Sequence, residues 1–165
     1  MTRVVTDPAA GVSDRRAAAL VTVAFDTISR RYVEDRHQIA AALLDADGGV
    51  HVGLHLDAMV GRAAVCAEAG ALSAVRLVTG APLLMIAAVR YPKPSESGGA
   101  RIVPPCGLCR ELLLDHGPGL HVPVPAHGGT VRLVALSQLL PAKYVGTKWP
   151  APVLPSAEFL TEETS

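Results

Sequence analysis

The amino-acid sequence predicts a three-layer α/β domain, and three observations carry that reading. Helical and strand signals follow the order α-β-β-α-β-α-β-β-α, so strands and helices interleave along the chain. Leu83 to Val89 is a continuous apolar run, the pattern of a central strand buried on both faces. The chain has 165 residues, 50% of them hydrophobic, which suffices for one core without metal or disulfide staples.

Residues 1–12 contain Asp7-Pro8 and Gly11 without apolar periodicity and are expected to form a loose arm. Ser13 can cap a helix, although Arg16 stands where a capping box would carry Glu. Behind it, Ala17, Leu20, Val21, Ala24 and Ile28 recur at helical spacing as far as Arg31. Gln38 to Asp45 reads as a strand, and Asp47-Gly48 as the hairpin turn that follows. Val50, Val52, Leu54 and Leu56 then alternate with His51, Gly53, His55 and Asp57, giving a strand with one apolar and one polar face. Gly61-Arg62 is expected to open an Ala-rich helix that runs to Val78 and is closed by Gly80.

After the central strand, residues 92–101 make a polar loop. Pro104-Pro105 starts a helix over Cys106 to Leu114, since proline is tolerated at a first helical position. His121 to Pro125 and Thr130 to Val134 are short strands, and Leu136 to Leu140 a brief helix. The Pro-rich tail, residues 146–165, is expected to extend over the surface. The folded domain is therefore expected to span residues 13–145.

Charge excludes some partners. The chain carries 15 basic and 15 acidic residues, so it lacks the basic field that drives binding to polymeric nucleic acid or anionic membranes. The apolar stretches Ala17 to Phe25 and Ala81 to Val89 are about half of the ~20 residues a membrane span needs. The first residues have no long apolar segment of the secretory type. Three cysteines cannot make a disulfide framework, and their odd number points to reduced thiols in the cytoplasm.

Those cysteines carry the chemistry. Cys106 and Cys109 lie within Pro105-Cys106-Gly107-Leu108-Cys109, and Cys66 is followed two residues on by Glu68. An i, i+3 pair on one helical turn presents both thiols to the same ion. A helix N-terminus favours the thiolate, the form that binds metal. A third thiolate from another helix completes three legs of a tetrahedron and leaves the fourth open, as catalytic zinc sites do. A C-x-x-C pair alone also fits a structural zinc half-site or a redox pair. Three cysteines cannot close a four-cysteine site, however, and no histidine stands at knuckle spacing from Cys66.

Cys66-Ala67-Glu68 with Pro105-Cys106-Gly107-Leu108-Cys109 resembles the zinc-deaminase signature. Within that superfamily the chain resembles the small three-cysteine cytidine deaminases. Pro105-Cys106-Gly107-x-Cys109-Arg110 is similar to their P-C-G-x-C-R block, and Leu140-Pro141-Ala142-Lys143-Tyr144 to their L-L-P-x-x-F/Y ending. The resemblance covers residues 15–145. It implies a three-layer α/β/α cytidine deaminase-like sandwich with a mixed five-stranded sheet. It further implies Zn2+ on Cys66, Cys106 and Cys109, Glu68 as proton shuttle, a small nucleoside substrate and a homotetramer.

Two departures bear on substrate and charge. Nucleoside-binding members carry Asn-x-Glu on the second strand, where this chain has His55-Leu56-Asp57; His55, Asp57 and the neighbouring Ala67 are the corresponding substrate-binding candidates. Many members follow C-A-E with Arg, which offsets the charge of three thiolates. That place is Ala69 here, and Arg110 or Arg62 is the candidate substitute. The leading expectation is deamination of cytidine or deoxycytidine. The alternatives are a specialised deaminase of another aminated heterocycle or of an aminopyrimidine nucleoside antibiotic such as blasticidin S, and a non-catalytic zinc module.

Overall fold

Ser13 caps the first helix as its position suggests: its hydroxyl accepts the Arg16 N–H at 3.4 Å, and α1 runs Asp14–Arg31. The computed structural model describes residues 12–148, so the expected arm and tail fall almost wholly outside the described residues. Six strands follow: β1 (Ile39–Asp45), β2 (Val50–Leu54), β3 (Leu83–Arg90), β4 (Arg101–Ile102), β5 (His121–Pro125) and β6 (Val131–Ala135). Two further helices, α2 (Ala67–Val78) and α3 (Gly107–His116), separate them.

The strands form one mixed sheet in the order β2-β1-β3-β5-β6, with the two-residue β4 added beside β3. β1 pairs antiparallel with β2 and β3, β3 runs parallel to β5, and β5 pairs antiparallel with β6. Five strands therefore make the main path, as expected. The sixth is the short β4, which the polar composition of residues 92–101 conceals.

Strand alternation divides the core in two. Ala40, Ala42 and Leu44 face α1 and its Ala17, Leu20, Ala24 and Ile28. Ala41 and Leu43 face the opposite way, towards Ala67, Ala71, Leu72 and Val75 of α2 and Leu113 of α3. A strand sandwiched between such layers must be apolar on both sides, which is why β3 is an unbroken apolar run.

One expectation needs correction. The segment from Gly61 is not one helix to Val78. A 3-10 turn covers Gly61–Ala63, and the chain then extends through Ala64 to Cys66 before α2 begins. The cause is pairing: Leu56 and Val65 form an antiparallel bridge with N–H to O distances of 2.9 Å both ways, which holds Val65 extended. The apolar face of the second strand lies outward, with Val50 46% and Val52 43% exposed. α1 covers β1 and β3 but reaches β2 only near Leu54, while the Gly53 face receives α2.

Arg76, in the last turn of α2, donates to the carbonyls of Ala81 at 2.9 Å and His116 at 2.8 Å, joining the C-terminal ends of α2 and α3. With those ends tied, the two helix N-termini come together elsewhere on the same face. No helix among the described residues is long and apolar enough to cross a membrane.

Candidate active site

Cys66 is the N-cap of α2 and Cys106 the N-cap of α3, both with extended backbone, and neither sulfur is spent on capping its own helix. Cys109 lies one turn into α3 on its buried side. The three sulfurs lie within 4.8 Å of one another, and Cys66 Sγ is 3.8 Å from Cys106 Sγ. Two ligands ~2.3 Å from a zinc ion at the tetrahedral angle stand about 3.8 Å apart, so the spacing fits that ion. The protonation chemistry fits as well. Burial raises the Cys66 and Cys109 thiols above their ordinary values; Cys106 and Glu68 add to the rise at both, whereas the Cys109 thiol offsets part of it at Cys66. A divalent cation relieves the repulsion that otherwise keeps such thiols protonated. The free N–H groups of two helix N-termini add positive potential on the same side.

Glu68 is in the first turn of α2 and only 5% exposed. Burial raises its carboxyl above the ordinary value, and its own backbone N–H and the Cys109 thiol offset part of that rise. A buried carboxyl with an elevated pKa beside a three-thiol cluster that could hold a metal is suited to carry a proton in both directions. Ala67, between Cys66 and Glu68, is buried in the core shared by α2 and the sheet.

The polar end of β2 approaches from the sheet. Beyond Leu54 the strand direction continues, and His55 donates its N–H to the Ile39 carbonyl at 2.9 Å. Ile39 packs against the same core cluster as Cys66, so His55, opposite it, lies on the thiol side of the sheet. Its Nδ1 is buried and has no hydrogen-bond partner among the described residues. Asp57 is exposed, and its Oδ1 accepts the Ala58 N–H at 2.8 Å.

Arg110 contacts carbonyls at this end of α3. Its Nε donates to the Pro105 carbonyl at 2.8 Å and its guanidinium to the Leu139 carbonyl at 2.9 Å. It thus grips the peptide just before Cys106 and joins it to a 3-10 turn over Leu136–Leu139. Arg62 is exposed in the 3-10 turn ahead of Cys66.

Two residues near the site escaped the motif reading. His37 pairs its Nδ1 with the His55 carbonyl at 3.0 Å, a contact across 18 positions that no local spacing reveals. Gly53 lets α2 rest directly on β2. Its signal was legible, since an isolated glycine in a strand marks close backbone approach.

No family model matches the chain. Blasticidin-S deaminase of Bacillus cereus is 35% identical over 126 residues, 76% of this chain and 89% of that protein. Cytidine deaminase of Mycobacterium tuberculosis H37Rv is 33% identical over 82 residues, 50% of this chain and 56% of that one. A crystal structure of cytidine deaminase from Mycobacterium tuberculosis superposes with a TM-score of 0.62 at 27% identity, covering 81% of this chain and 99% of the other. Cytidine deaminase from Bacillus anthracis shares the fold at a TM-score of 0.66 and 22% identity, over 78% of this chain and 89% of that one. Fold and relatives together define an enzyme, an aminohydrolase. The chain belongs to the cytidine deaminase-like family.

Proposed function

We propose that the chain hydrolytically deaminates a cytosine-type aminopyrimidine nucleoside, cytidine or deoxycytidine, to the uridine counterpart and ammonia. The observation that carries this reading is the buried Glu68 carboxyl beside three thiols within 4.8 Å of one another, two of them 3.8 Å apart. Cys66, Cys106 and Cys109 would hold Zn2+. A zinc ion bound there supplies Lewis acidity that makes water a nucleophile at neutral pH. Glu68 accepts a proton of the attacking water and passes it to ring N3; it then takes the second proton from the new C4 hydroxyl and gives it to the amino group, which leaves as ammonia as the C4=O bond forms. Burial supports that cycle, because a carboxyl that resists ionisation releases a proton only where it is needed.

His55 and Asp57 hold the sugar or its replacement, with Ala67 lining the site beside them. Arg110 sets the Pro105–Cys106 turn and brings a positive charge towards the thiolates. Neutral net charge supports a small-molecule substrate rather than nucleic acid or a membrane. Three free thiols support a cytoplasmic location. Exposed Met59, Val60, Leu77 and Leu108 offer apolar surface for a homo-oligomer, with the family resemblance implying a tetramer.

Similarity to the Bacillus cereus protein supports a second reading, deamination of an aminopyrimidine nucleoside antibiotic such as blasticidin S. The test is ammonia release from cytidine, deoxycytidine, cytosine and blasticidin S, run alongside metal analysis. About one zinc per chain and release from cytidine or deoxycytidine are expected. Release from the antibiotic alone favours the second reading. No release from any aminopyrimidine by zinc-loaded protein overturns both.

A further inference from the structure

The three thiols differ in ways that deamination does not use. Cys106 is exposed, Cys66 half-buried and Cys109 only 1% exposed. Cys66 and Cys106 are both N-cap residues with extended backbone (φ −67°, ψ 146° and φ −65°, ψ 168°), outside the helical ladders. Either side chain can turn without breaking its helix. Cys109 lies inside α3 and belongs to the buried core cluster with Leu113 and Leu136, which fixes its direction.

We propose that Cys106 is a hydroperoxide-sensitive site resolved by Cys66, so that oxidation closes a reversible Cys66–Cys106 disulfide between the N-termini of α2 and α3. In the first step the Cys106 sulfur gives two electrons to the peroxide. The O–O bond breaks, one oxygen stays on sulfur as sulfenic acid, and the other leaves as water or alcohol. In the second step the Cys66 sulfur attacks the Cys106 sulfur. The S–S bond forms, the S–O bond breaks, and the oxygen leaves as water with the Cys66 proton. The sulfurs close from 3.8 Å to about 2.05 Å, within reach of side-chain rotation and a small backbone adjustment. Two of the three metal donors are consumed. Cys109 alone cannot retain the ion, so the disulfide switches the site off until a thiol reductant reopens it.

The test maps thiols and metal rather than turnover, so its outcome is independent of substrate identity. Zinc-loaded wild-type protein is treated with limiting hydrogen peroxide, alkylated, and digested with trypsin without reduction. Cleavage at arginine places Cys66 on peptide 63–76 and Cys106 with Cys109 on peptide 102–110. The expected product joins these peptides, with fragment ions placing the bond on Cys106 and the alkyl group on Cys109. Zinc leaves mole for mole with the cross-link, and dithiothreitol reverses both. A bond within peptide 102–110, a bond to Cys109, sulfinic acids without a cross-link, or unreacted thiols would each overturn the proposal. A Cys66→Ser variant should leave a Cys106 sulfenic acid that dimedone traps. If that variant does not fold, the wild-type map decides alone.

Discussion

Gly53 lies against the backbone of Ala71: a Cβ added to Gly53 would stand 2.2 Å from the Ala71 amide nitrogen and 2.3 Å from the Ala67 carbonyl oxygen. β2 and α2 therefore touch backbone to backbone, and this contact sets the height of the helix that begins with Cys66 and carries Glu68. Gly70 faces the same contact, but a Cβ there would meet only ordinary neighbours at 3.5 Å and beyond. The two glycines are expected to respond oppositely. Gly53→Ala forces α2 off the sheet and should cost about 1–3 kcal/mol or more, with weaker zinc retention. Gly70→Ala should be neutral or stabilising by up to ~1 kcal/mol, because alanine favours the helix. Urea unfolding of both variants is the check, and a Gly53→Ala midpoint equal to wild type would contradict the packing.

The layer order and the thiol cluster were legible in the sequence because both rest on local patterns. The unbroken apolar run of β3 and the Pro105 to Cys109 motif are read within a few residues. What escaped reading depends on long-range pairing. The Leu56–Val65 bridge breaks the expected helix ahead of Cys66, and nothing in Gly61 to Ala64 announces a partner on another segment. The outward turn of Val50 and Val52 depends on where α1 ends its coverage of the sheet, a tertiary outcome that periodicity cannot distinguish from burial. Arg110 was legible as a charge near the cysteines, but its two carbonyl partners lie on separate segments.

A second expectation concerns acid. Asp45 is buried, yet hydrogen bonds from His51 at 2.7 Å and from the Gly49 and Asp47 N–H groups outweigh that burial and hold its carboxyl below the usual value. A depressed carboxyl stabilises the fold above its unfolded value of ~3.9 and loses that contribution as pH falls through the folded value. Asp45→Asn should cost about 1.5–3 kcal/mol at neutral pH. The gap from wild type should close only as pH drops below ~4. Unfolding free energies measured from pH 7 to pH 3 give the answer, and a gap independent of pH would mean that the charge is irrelevant.

Arg110 separates charge from geometry. Its fork bridges the Pro105 and Leu139 carbonyls, a shape that lysine cannot reproduce. Arg110→Ala should loosen zinc binding by roughly 10- to 100-fold, the usual effect of losing a group that orients a ligand. Arg110→Lys should recover only part of that loss. Full recovery in a chelator competition assay would show that positive charge alone is what the site requires.

Glu68→Gln retains the size of the side chain and removes its proton traffic. Turnover should fall at least ~10²-fold while the zinc content stays at the wild-type level. Stripped of metal, the same variant should be more stable than metal-free wild type at neutral pH. Burial raises the Glu68 carboxyl, so the folded protein resists its ionisation and gains stability as pH falls towards the ordinary carboxylate range. Near-normal turnover would move the proton shuttle to another residue.

Under the proposed function, His55 and Asp57 are the residues that contact the sugar or its replacement. His55 lies on the thiol side, and its buried Nδ1 has no partner among the described residues, so a ligand group that completes that hydrogen bond is favoured there. Asp57 is exposed and accepts one backbone N–H through Oδ1, which leaves acceptor capacity for a hydroxyl or a cationic substituent. If a nucleoside is bound, losing the charged acceptor in Asp57→Ala should cost about 1.5–3 kcal/mol, or ~10- to 150-fold in kcat/KM. His55→Ala removes a neutral hydrogen bond and should cost about 0.5–1.5 kcal/mol, or ~2- to 12-fold. Both losses should be much smaller for the free base, which offers no sugar to hold. Steady-state kinetics on a nucleoside and its base make the comparison. Equal losses on both substrates would assign the Asp57 and His55 side chains to the fold rather than to the sugar.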